Sequence, residues 1–534
     1  MLDYKIVNAK IVDGTGKDAY EGCVGIQDGK IVMEPKQEAE NLLDAAGLYL
    51  CPGFIDSHSH TDRYIGTNPE IISLCKISQG ITTEIAGQCG SSQFPVPEQR
   101  KVEMIGYFKE DGANPEQIAA IDEYRDFSAF LKFVEKQKLV GNFAFLQGHS
   151  TLRMAVMGYD DRRPTDSELE QMKDLLRQAM EAGCMGLSTG LIYVPGVYAD
   201  TEEIIELCKV IKPYGGIYAT HMRSESDHIV EAVKEAIRIA KEADVPLVIS
   251  HHKVCGVRNW GASKETLRLV EEAIGEGVRI TLDQYPYIAS STGLCQCLHP
   301  KYFTKGNAEA AKLMKDPEVR KQMVKEMTEV PCSYNCSYQN AGGFEGIMIL
   351  SSPATPDAEG LRLSEYAEKL GKDAFEVFFD IMMENDCNIK CALFCMDENE
   401  LDEIYLNENT VVGTDGLNGS NEGTTHPRAF GSFVRAISYF SKQKGLVTFE
   451  EAIRKETSLT AERWGLKNKG VIAEGMDADL VLIDYDKLED KADFVHPRTL
   501  CEGIEKVFVG GKLAYADKKL TGVYAGKAVL RGNL

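Results

Sequence analysis

Short apolar runs alternate along most of the chain with stretches whose apolar residues recur at helical spacing. Eight runs have the length and composition of buried strands: Gly53–His58, Ile81–Cys89, Asn142–Ser150, Met185–Leu191, Ile217–Arg223, Pro246–Lys253, Arg279–Tyr287 and Thr410–Leu417. Amphipathic stretches separate several of them, for example Asp166–Ala182, Thr201–Lys212, Asp227–Ala243 and Lys264–Glu276. This alternation predicts an α/β fold with a parallel sheet, and eight repeats predict a closed, TIM-like (β/α)8 barrel. An open doubly wound sheet is the alternative, but no Gly-x-Gly-x-x-Gly follows the first strand, which disfavours a dinucleotide-binding fold.

The two ends of the chain show a different pattern, in which short strand-like runs are punctuated by glycine. The first end reads YKIVNAKIVDG and GCVGIQDGKIV, and the last includes DADLVLID and IEKVFVGGKLAY. Neither end carries enough apolar surface to make a good independent domain. We therefore predict one small β-sandwich built from residues 1–50 and 470–534, and a catalytic barrel domain built from residues 51–287 and 351–469.

One connection is much longer than a single barrel helix requires. About 120 residues separate Tyr287 from Thr410, and such a length is rarely left unstructured in a compact domain. Turn residues and a strand-like run, Gly346–Leu350, lie within it, so we predict an inserted subdomain at residues 288–350. Helices from Leu363 to Asn385 are expected to resume the barrel. Because the insertion follows the seventh strand, we expect it to overhang the carboxyl mouth of the barrel and to act as a lid.

Composition narrows the range of partners. The net charge is −23, whereas nucleic acids and anionic membranes are bound by basic surfaces. The fifteen cysteines lack the spacing of a disulfide framework, which indicates reduced, packed thiols. The amino-terminal segment has no signal-peptide core, and no run approaches the ~20 apolar residues that cross a bilayer. We expect a cytoplasmic enzyme with a small-molecule substrate and no nucleic-acid or membrane partner, and leave the oligomeric state open.

A His-x-His pair closes the first apolar run. Residues two apart in a strand share one face, so His58 and His60 point the same way from the strand's carboxyl end. That arrangement suits a shared metal ion. A surface or core coincidence is the ordinary alternative for an isolated pair of this kind.

Other runs also end in residues that could hold a metal or move a proton, namely Cys89, His221, His251, His252, Lys253 and Asp415. Each has an ordinary explanation alone: a hydrogen-bonded histidine, a packed cysteine or a turn aspartate. Together they lie at the strand ends where barrel enzymes place their chemistry, which indicates a metal site. Thiolate and imidazole ligands favour zinc, and three protein ligands leave a fourth position for water, as in catalytic sites.

A set of motifs gives the chain a family resemblance. The motifs are PGFIDSHSH, GQCGSS, GHSTLR (148–153), STGLIY (188–193), SHHK (250–253), DQYPY (283–287), GTDG and THPR (425–428). Together they resemble the D-aminoacylase, or N-acyl-D-amino-acid deacylase, family of the amidohydrolase superfamily. The fourth run, CMGLSTGL, lacks the lysine that dihydropyrimidinase- and urease-type enzymes would carboxylate, and Cys89 stands in its place.

The resemblance implies roles for particular residues. One tightly held zinc would lie on Cys89, His221 and His251. His58 and His60 would form a second, weaker site with Cys89 able to bridge, or would orient water or substrate without a metal of their own. Asp415 would act as general base and then general acid towards the attacking water.

A carboxylate on the substrate requires a fixed cation, and the planar fork of Arg428 is the first candidate, a surface arginine being the alternative. The family's other substrate-contacting positions fall on Lys253, Tyr285, Ser291 and Tyr193. One of Tyr285 and Tyr287 is expected to be barrel packing instead. His149 and His252 are expected to support the site, His228, His299 and His496 to be structural or exposed, and His426 is left undecided.

The function that follows is zinc-dependent hydrolysis of N-acyl-D-amino acids to a carboxylate and a free D-amino acid. The preference for D substrates comes from the resemblance alone, and no residue identifies the accepted side chain. The alternatives are a hydantoinase- or dihydropyrimidinase-like reaction on a cyclic amide, and hydrolysis of a dipeptide that contains a D-amino acid. A catalytically silent binding module is disfavoured because every ligand and the base are present.

Overall fold

A computed structural model of the chain describes residues 1–420 and 423–532. Eight parallel strands form its centre, here called barrel strands 1 to 8: Phe54–Asp56, Ile81–Ala86, Asn142–Phe145 continued by Gln147–Gly148, Gly186–Gly190, Ile217–His221, Leu247–Ile249, Ile280–Gln284 and Thr410–Val412. Each pairs with its sequence neighbour. Strands 8 and 1 close the ring, because the Ser57 amide donates to the Val412 carbonyl (3.3 Å) and Ser59 bridges to Gly416. All eight strands lie within the predicted runs, so the closed barrel is confirmed and the open sheet is wrong.

Helices surround the barrel and bury the stripes that their sequences predict. Ile229–Ala243 buries Ile229, Val233, Ala236 and Ala240, at spacings of three and four. Asp166–Glu181 begins at a capping box, in which the Thr165 hydroxyl accepts from the Glu168 amide and the Glu168 carboxylate accepts from the Thr165 amide. The outer helices are Pro69–Ile72, Leu74–Ile77, Lys101–Glu110, Pro115–Ala119, Phe127–Glu135, His149–Val156, Asp166–Glu181, Thr201–Ile211, Ile229–Ala243, Ser263–Gly275, Glu398–Leu406, Arg428–Arg435, Ala436–Gln443, Phe449–Glu456 and Ser458–Trp464. Among the described residues no helix is both long enough and apolar enough to cross a membrane.

The two chain ends meet in one nine-stranded sheet. Its strands are Leu2–Ile11, Tyr20–Gln27, Lys30–Met33, Ala39–Asp44, Tyr49–Pro52, Leu480–Ile483, Ile504–Val509, Lys512–Ala516 and Lys519–Leu520. The ends join where Tyr49–Pro52 pairs antiparallel with Leu480–Ile483, and they share a core that includes Ile6 and Phe508. The prediction that both ends build one β structure is confirmed. The domain limits at 50 and 470 stay predictions, and residues 533 and 534 lie outside the described part.

The last residues leave this sheet and run along the barrel. The Phe143 amide donates to the Lys527 carbonyl and the Arg531 amide to the Gly183 carbonyl, both at 2.9 Å. Phe143 is the second residue of barrel strand 3 and Gly183 precedes barrel strand 4, so the tail covers the amino end of the barrel, opposite the mouth. The tail therefore does not cover the carboxyl end of the barrel, where the insertion lies.

The insertion has its own sheet and core. Its antiparallel strands are Ala289–Gly293, Lys390–Phe394 and Ile347–Ser351, in that spatial order. Its helices are Asn307–Leu313, Pro317–Thr328, Ser337–Asn340, Leu363–Leu370 and Ala374–Glu384. The last two were expected to resume the barrel, but they pack into the insertion core, where Phe378 joins Met323 and Cys391. Helical periodicity shows that one face is buried without showing which core receives it, and the expected return at residue 351 is therefore wrong.

Candidate active site

The carboxyl ends of barrel strands 1, 2, 5 and 6 bring one thiol and three imidazoles together. Cys89 Sγ lies 3.3 Å from His58 Nε2, 3.4 Å from His251 Nε2 and 3.8 Å from His221 Nδ1. All four side chains are buried, with Cys89 the most exposed at 8%. The strand-end positions singled out in the sequence therefore converge on one point.

Three residues of the site have a left-handed backbone that non-glycine residues rarely adopt. Their φ angles are 52° at Cys89, 37° at His251 and 45° at Asp415. Such conformations cost about 1–3 kcal/mol each and persist where the surrounding structure enforces them. Here each follows a barrel strand at its carboxyl end and turns a polar side chain inward. Backbone strain is thus present at three of the groups that could do chemistry.

Asp415 lies between the histidine pair and a guanidinium. One oxygen, Oδ1, is 3.1 Å from His60 Nε2 and 3.7 Å from His58 Nε2, while Oδ2 is 2.8 Å from Arg428 Nη1. Burial alone would raise the pKa of Asp415, but the Arg428 guanidinium and the nearby imidazoles hold it well below its usual value. The carboxylate is therefore charged at neutral pH and able to accept a proton.

Two buried carboxylates contact the Nδ1 atoms of His58 and His251 and so orient their rings. Asp283 Oδ2 is 3.3 Å from His58 Nδ1, and its Oδ1 accepts from the His251 amide at 2.6 Å. Glu225 Oε1 is 2.9 Å from His251 Nδ1 and also accepts from the Lys253 ammonium. Metal-ligating histidines are usually oriented by a carboxylate in this way. Asp283 lies in a quoted motif without an assigned role and Glu225 was missed, although it is an acid four residues after His221.

Burial keeps most of the imidazoles neutral. It lowers the pKa of His60 to about 3 and that of His221 to about 4, and burial with the Lys253 charge lowers that of His251 well below its usual value. His58 differs: burial opposes its charge, but Asp283 and Cys89 outweigh burial and raise its pKa well above the usual value. Neutral imidazoles have a free lone pair, which is the form that binds metal ions.

The donor atoms fall into two groups that could each hold a metal ion. One is Cys89, His221 and His251, and the other is His58, His60, Cys89 and Asp415, with the atoms of each group within 4.8 Å of one another. Ligand atoms around tetrahedral zinc, with bonds of about 2.0–2.3 Å, lie roughly 3.5 Å apart, which the thiol–imidazole distances bracket. Within residues 1–420 and 423–532, buried His221 Nε2 and His60 Nδ1 have no hydrogen-bond partner. The donor set fits zinc, and Cys89 belongs to both groups.

The strand ends open into a cavity of about 630 Å³ beneath the insertion. The expected substrate-contacting residues all line it: Tyr193, Lys253, Tyr285, Ser291 and Arg428. The Arg428 guanidinium stacks on Tyr285 at 4.7 Å from the ring centroid, so Arg428 is a buried residue of the site and the surface alternative is wrong.

The remaining aromatic and histidine candidates make contacts that support the fold, and His426 also lines the cavity. Tyr287 packs in the insertion core and is the tyrosine of the pair that lies outside the cavity lining. His149 is 2.8 Å from Glu203, and His252 is 2.9 Å from Thr266. His426, which the sequence left undecided, accepts from the Arg428 amide at 3.0 Å and lies 2.9 Å from the Ala289 carbonyl. It therefore fixes the start of the helix that carries Arg428 against the insertion.

A buried lysine ties together the strands that carry His58 and Asp415. Lys76 Nζ donates to Asp56 Oδ2 at 2.8 Å and to Thr414 Oγ1 at 2.6 Å, and it lies 3.4 Å from Glu84 Oε2. Asp56 in turn accepts from the amides of His58 (3.1 Å) and Thr414 (2.8 Å). The network joins barrel strands 1, 2 and 8 directly behind the site.

Replacing Lys76 with methionine is expected to lower the free energy of unfolding by about 3–5 kcal/mol, because it leaves two buried carboxylates without their cation. Chemical denaturation measures the change. Lys101→Met is the matched control, since it breaks a partly exposed pair with Asp122 that is worth less than about 1 kcal/mol. Equal losses in the two variants would contradict the role given to Lys76.

Comparison with known proteins identifies the family. The amidohydrolase family profile matches residues 41–329 and 404–515, and the unmatched stretch lies largely in the insertion. A D-aminoacylase from Alcaligenes xylosoxydans xylosoxydans is 34% identical over 533 residues, which cover 99% of this chain and 98% of that protein. The chain belongs to the D-aminoacylase family of amidohydrolases. The resemblance that the motifs indicated is confirmed.

Solved members of the D-aminoacylase family share the whole architecture. A D-aminoacylase described for its binuclear metal centre has a TM-score of 0.81 at 34% identity, with 99% of this chain and 100% of that chain covered. The N-acyl-D-glutamate deacylase of Bordetella bronchiseptica, solved with zinc and a phosphonate inhibitor that mimics the tetrahedral intermediate, has a TM-score of 0.80 at 30% identity, with 99% of both chains covered. The barrel, the terminal sheet and the enzyme class are therefore those of this family.

Proposed function

We propose that the chain is a zinc-dependent hydrolase that cleaves the amide bond of N-acyl-D-amino acids and releases a carboxylate and a free D-amino acid. The observation that carries the proposal is the convergence of Cys89, His221 and His251 beside the charged carboxylate of Asp415, in a cavity that also holds Arg428. The preference for D substrates rests on the relatives described above.

Cys89, His221 and His251 would hold the tightly bound zinc, with His58 and His60 forming a second, weaker site that shares Cys89. Bound zinc would lower the pKa of water towards ~7 and polarise the scissile carbonyl. Glu225 and Asp283 serve both groups by fixing the ring orientations of His251 and His58. These carboxylates also supply negative charge that balances a bound cation.

Asp415 moves the proton in this reaction. Its carboxylate accepts a proton from the attacking water and returns a proton to the amide nitrogen as the C–N bond breaks. His60 and Arg428, which contact its two oxygens, hold the carboxylate in position for both steps.

The amino-acid half of the substrate would be held by its carboxylate. Arg428 offers a guanidinium that Tyr285 supports by stacking, and Lys253 Nζ lies 5.8 Å from the same ring. The Ser291 hydroxyl comes from the insertion and Tyr193 from the loop after barrel strand 4, where Tyr193 Oη is 3.3 Å from Thr292 Oγ1. Arg428 contacts Asp415, and Lys253 Nζ lies 2.7 Å from His251 Nδ1, so both cations stand beside the candidate metal groups. They could hold the substrate carboxylate next to an amide placed at the proposed metal.

A panel of substrates tests the proposal. The zinc-loaded protein is assayed with N-acetyl-D- and N-acetyl-L-methionine, with a hydantoin and with a dipeptide containing D-methionine, while zinc content is measured. We expect hydrolysis of the N-acetyl-D-amino acid to dominate. Activity on the hydantoin alone, or on the dipeptide alone, would replace the proposed reaction with the corresponding alternative.

Arg428→Lys is expected to raise the KM for N-acetyl-D-methionine about 10- to 100-fold, because lysine keeps the charge near Asp415 but loses the planar fork. Steady-state kinetics measure the change. N-acetyl-D-methionine amide, which has no carboxylate, should be affected much less.

Arg435→Lys provides the matched control for this test. Arg435 lies on the same helix and stacks on Tyr287 at 5.1 Å, but it is not among the cavity-lining residues. A KM for the acid that stays within twofold of wild type in Arg428→Lys would exclude Arg428 as the carboxylate partner.

A further inference from the structure

The roof of the cavity carries a lysine that the proposed reaction does not use. Lys390 begins the insertion strand Lys390–Phe394 and lines the cavity. In the sheet it is flanked by Gly293 on one side and Ser351 on the other. Neither neighbour has a side chain large enough to cover that of Lys390.

The strand register places Lys390 beside Ser291. Ser291 pairs with Ala392 and Gly293 pairs with Lys390, and directly paired residues of an antiparallel sheet point to the same face. Lys390 is therefore the diagonal neighbour of Ser291 on one sheet face, at a separation of about 7–8 Å. The Lys390 side chain therefore starts beside the proposed carboxylate subsite.

The charge of Lys390 is not balanced by the protein. Within residues 1–420 and 423–532 its Nζ makes no ion pair or hydrogen bond. Asp111, the acidic side chain whose charge acts on Lys390, is already paired with Arg63 at 2.9 Å. Lys390 is half-buried, and burial and the Arg63 charge lower its pKa. An ammonium held in a partly desolvated cavity beside a second cation is stabilised by an anion.

We propose that Lys390 is a specificity-determining residue that binds a second carboxylate carried by the substrate. The inference rests on the proposed function, since it assigns the first carboxylate to Arg428 and Ser291. The second carboxylate would come either from the side chain of the D-amino acid, as in glutamate or aspartate, or from a dicarboxylic acyl group. Either source would supply the same group, a carboxylate close enough to the cavity roof to contact the Lys390 ammonium.

Two substrate pairs test the inference on the zinc-loaded full chain. N-acetyl-D-glutamate is compared with N-acetyl-D-glutamine, and N-succinyl-D-methionine with N-pentanoyl-D-methionine. We expect the acidic member of at least one pair to be preferred about 10- to 100-fold in kcat/KM, mainly through KM. The pair that shows the preference identifies the source of the carboxylate.

Variants of Lys390 show whether this residue is the cause. Lys390→Met should remove the preference while the neutral substrates keep their kcat/KM within about threefold, and Lys390→Arg should retain it. Lys390→Gln replaces Lys390→Met if the latter unfolds at assay temperature. Lys109→Met is the matched control, because Lys109 lies on the rim of the same cavity but is exposed, and it should keep the preference.

Two outcomes overturn the inference and leave the proposed function intact: neutral members preferred in both pairs by the wild type, or an acidic preference that survives in Lys390→Met and Lys390→Gln. Failure of the zinc-loaded wild type to hydrolyse any of the four substrates would overturn the proposed function, and the inference with it.

Discussion

Asp415→Asn is expected to lower kcat at least about 100-fold while zinc content stays at the wild-type level. An amide has nearly the shape of the carboxylate but cannot accept a proton from water or deliver one to the leaving nitrogen. Metal retention is expected because Cys89, His221 and His251 form a group without Asp415. Turnover of N-acetyl-D-methionine and zinc per chain are the two measurements.

The substitution is well matched to its site. The left-handed backbone at position 415, with φ 45°, is one that asparagine adopts at least as readily as aspartate, so the loop should keep its shape. Asp490→Asn is the control, because Asp490 pairs with Arg435 at 3.1 Å outside the cavity. A kcat within a few-fold of wild type in Asp415→Asn would remove the proton-transfer role from this residue.

The barrel could be predicted because its signals are local. Each of the eight strands is a short apolar run bounded by turns, and helices such as Ile229–Ala243 show their buried stripe directly in the spacing of Val233, Ala236 and Ala240. The insertion boundary could not be read in the same way. Leu363–Leu370 and Ala374–Glu384 have the periodicity of barrel helices, but their partners in the insertion core are distant in sequence.

The candidate active site, like the fold, was predicted only in part. Metal-binding residue types are rare and lie at strand ends, so the sequence indicated His58, Cys89 and His251 before any distance was known. Glu225 and Lys76 are common residue types without a distinctive spacing, and their importance comes from what tertiary structure places beside them. The tertiary structure decides which residue pairs with a buried charge, and a single sequence does not reveal that pairing.

The insertion takes part in the cavity instead of merely covering it. It contributes Ser291 and Lys390 to the lining, while its core is separate from that of the barrel. In the proposed reaction the barrel would supply the groups that cleave the amide and hold the first carboxylate, and the insertion would add further groups that contact the substrate. Specificity can vary in this arrangement without disturbing Asp415 or the ligand residues.

Cys89→Ser is expected to lower zinc affinity at least about 100-fold and to lower activity in proportion at limiting zinc. A serine hydroxyl does not ionise near neutral pH, whereas a zinc-bound cysteine is a thiolate. Loss of a residue that only orients a ligand costs about 10- to 100-fold in metal affinity, so loss of a ligand itself should cost at least that much. Cys89 is also shared by both candidate groups, so one substitution should weaken both. Competition with a chelator of known affinity measures the change.

Cys184→Ser separates the loss of a ligand from the general cost of a buried hydroxyl. Cys184 is buried just before barrel strand 4, and its thiol donates to the Phe145 carbonyl at 3.1 Å, a bond that serine can also make. We expect this variant to bind zinc as the wild type does. If Cys89→Ser also bound zinc with wild-type affinity, the thiol would not be a ligand, and the imidazoles and Asp415 would have to hold the ion without it. The short distances from Cys89 Sγ to three imidazoles argue for the opposite result.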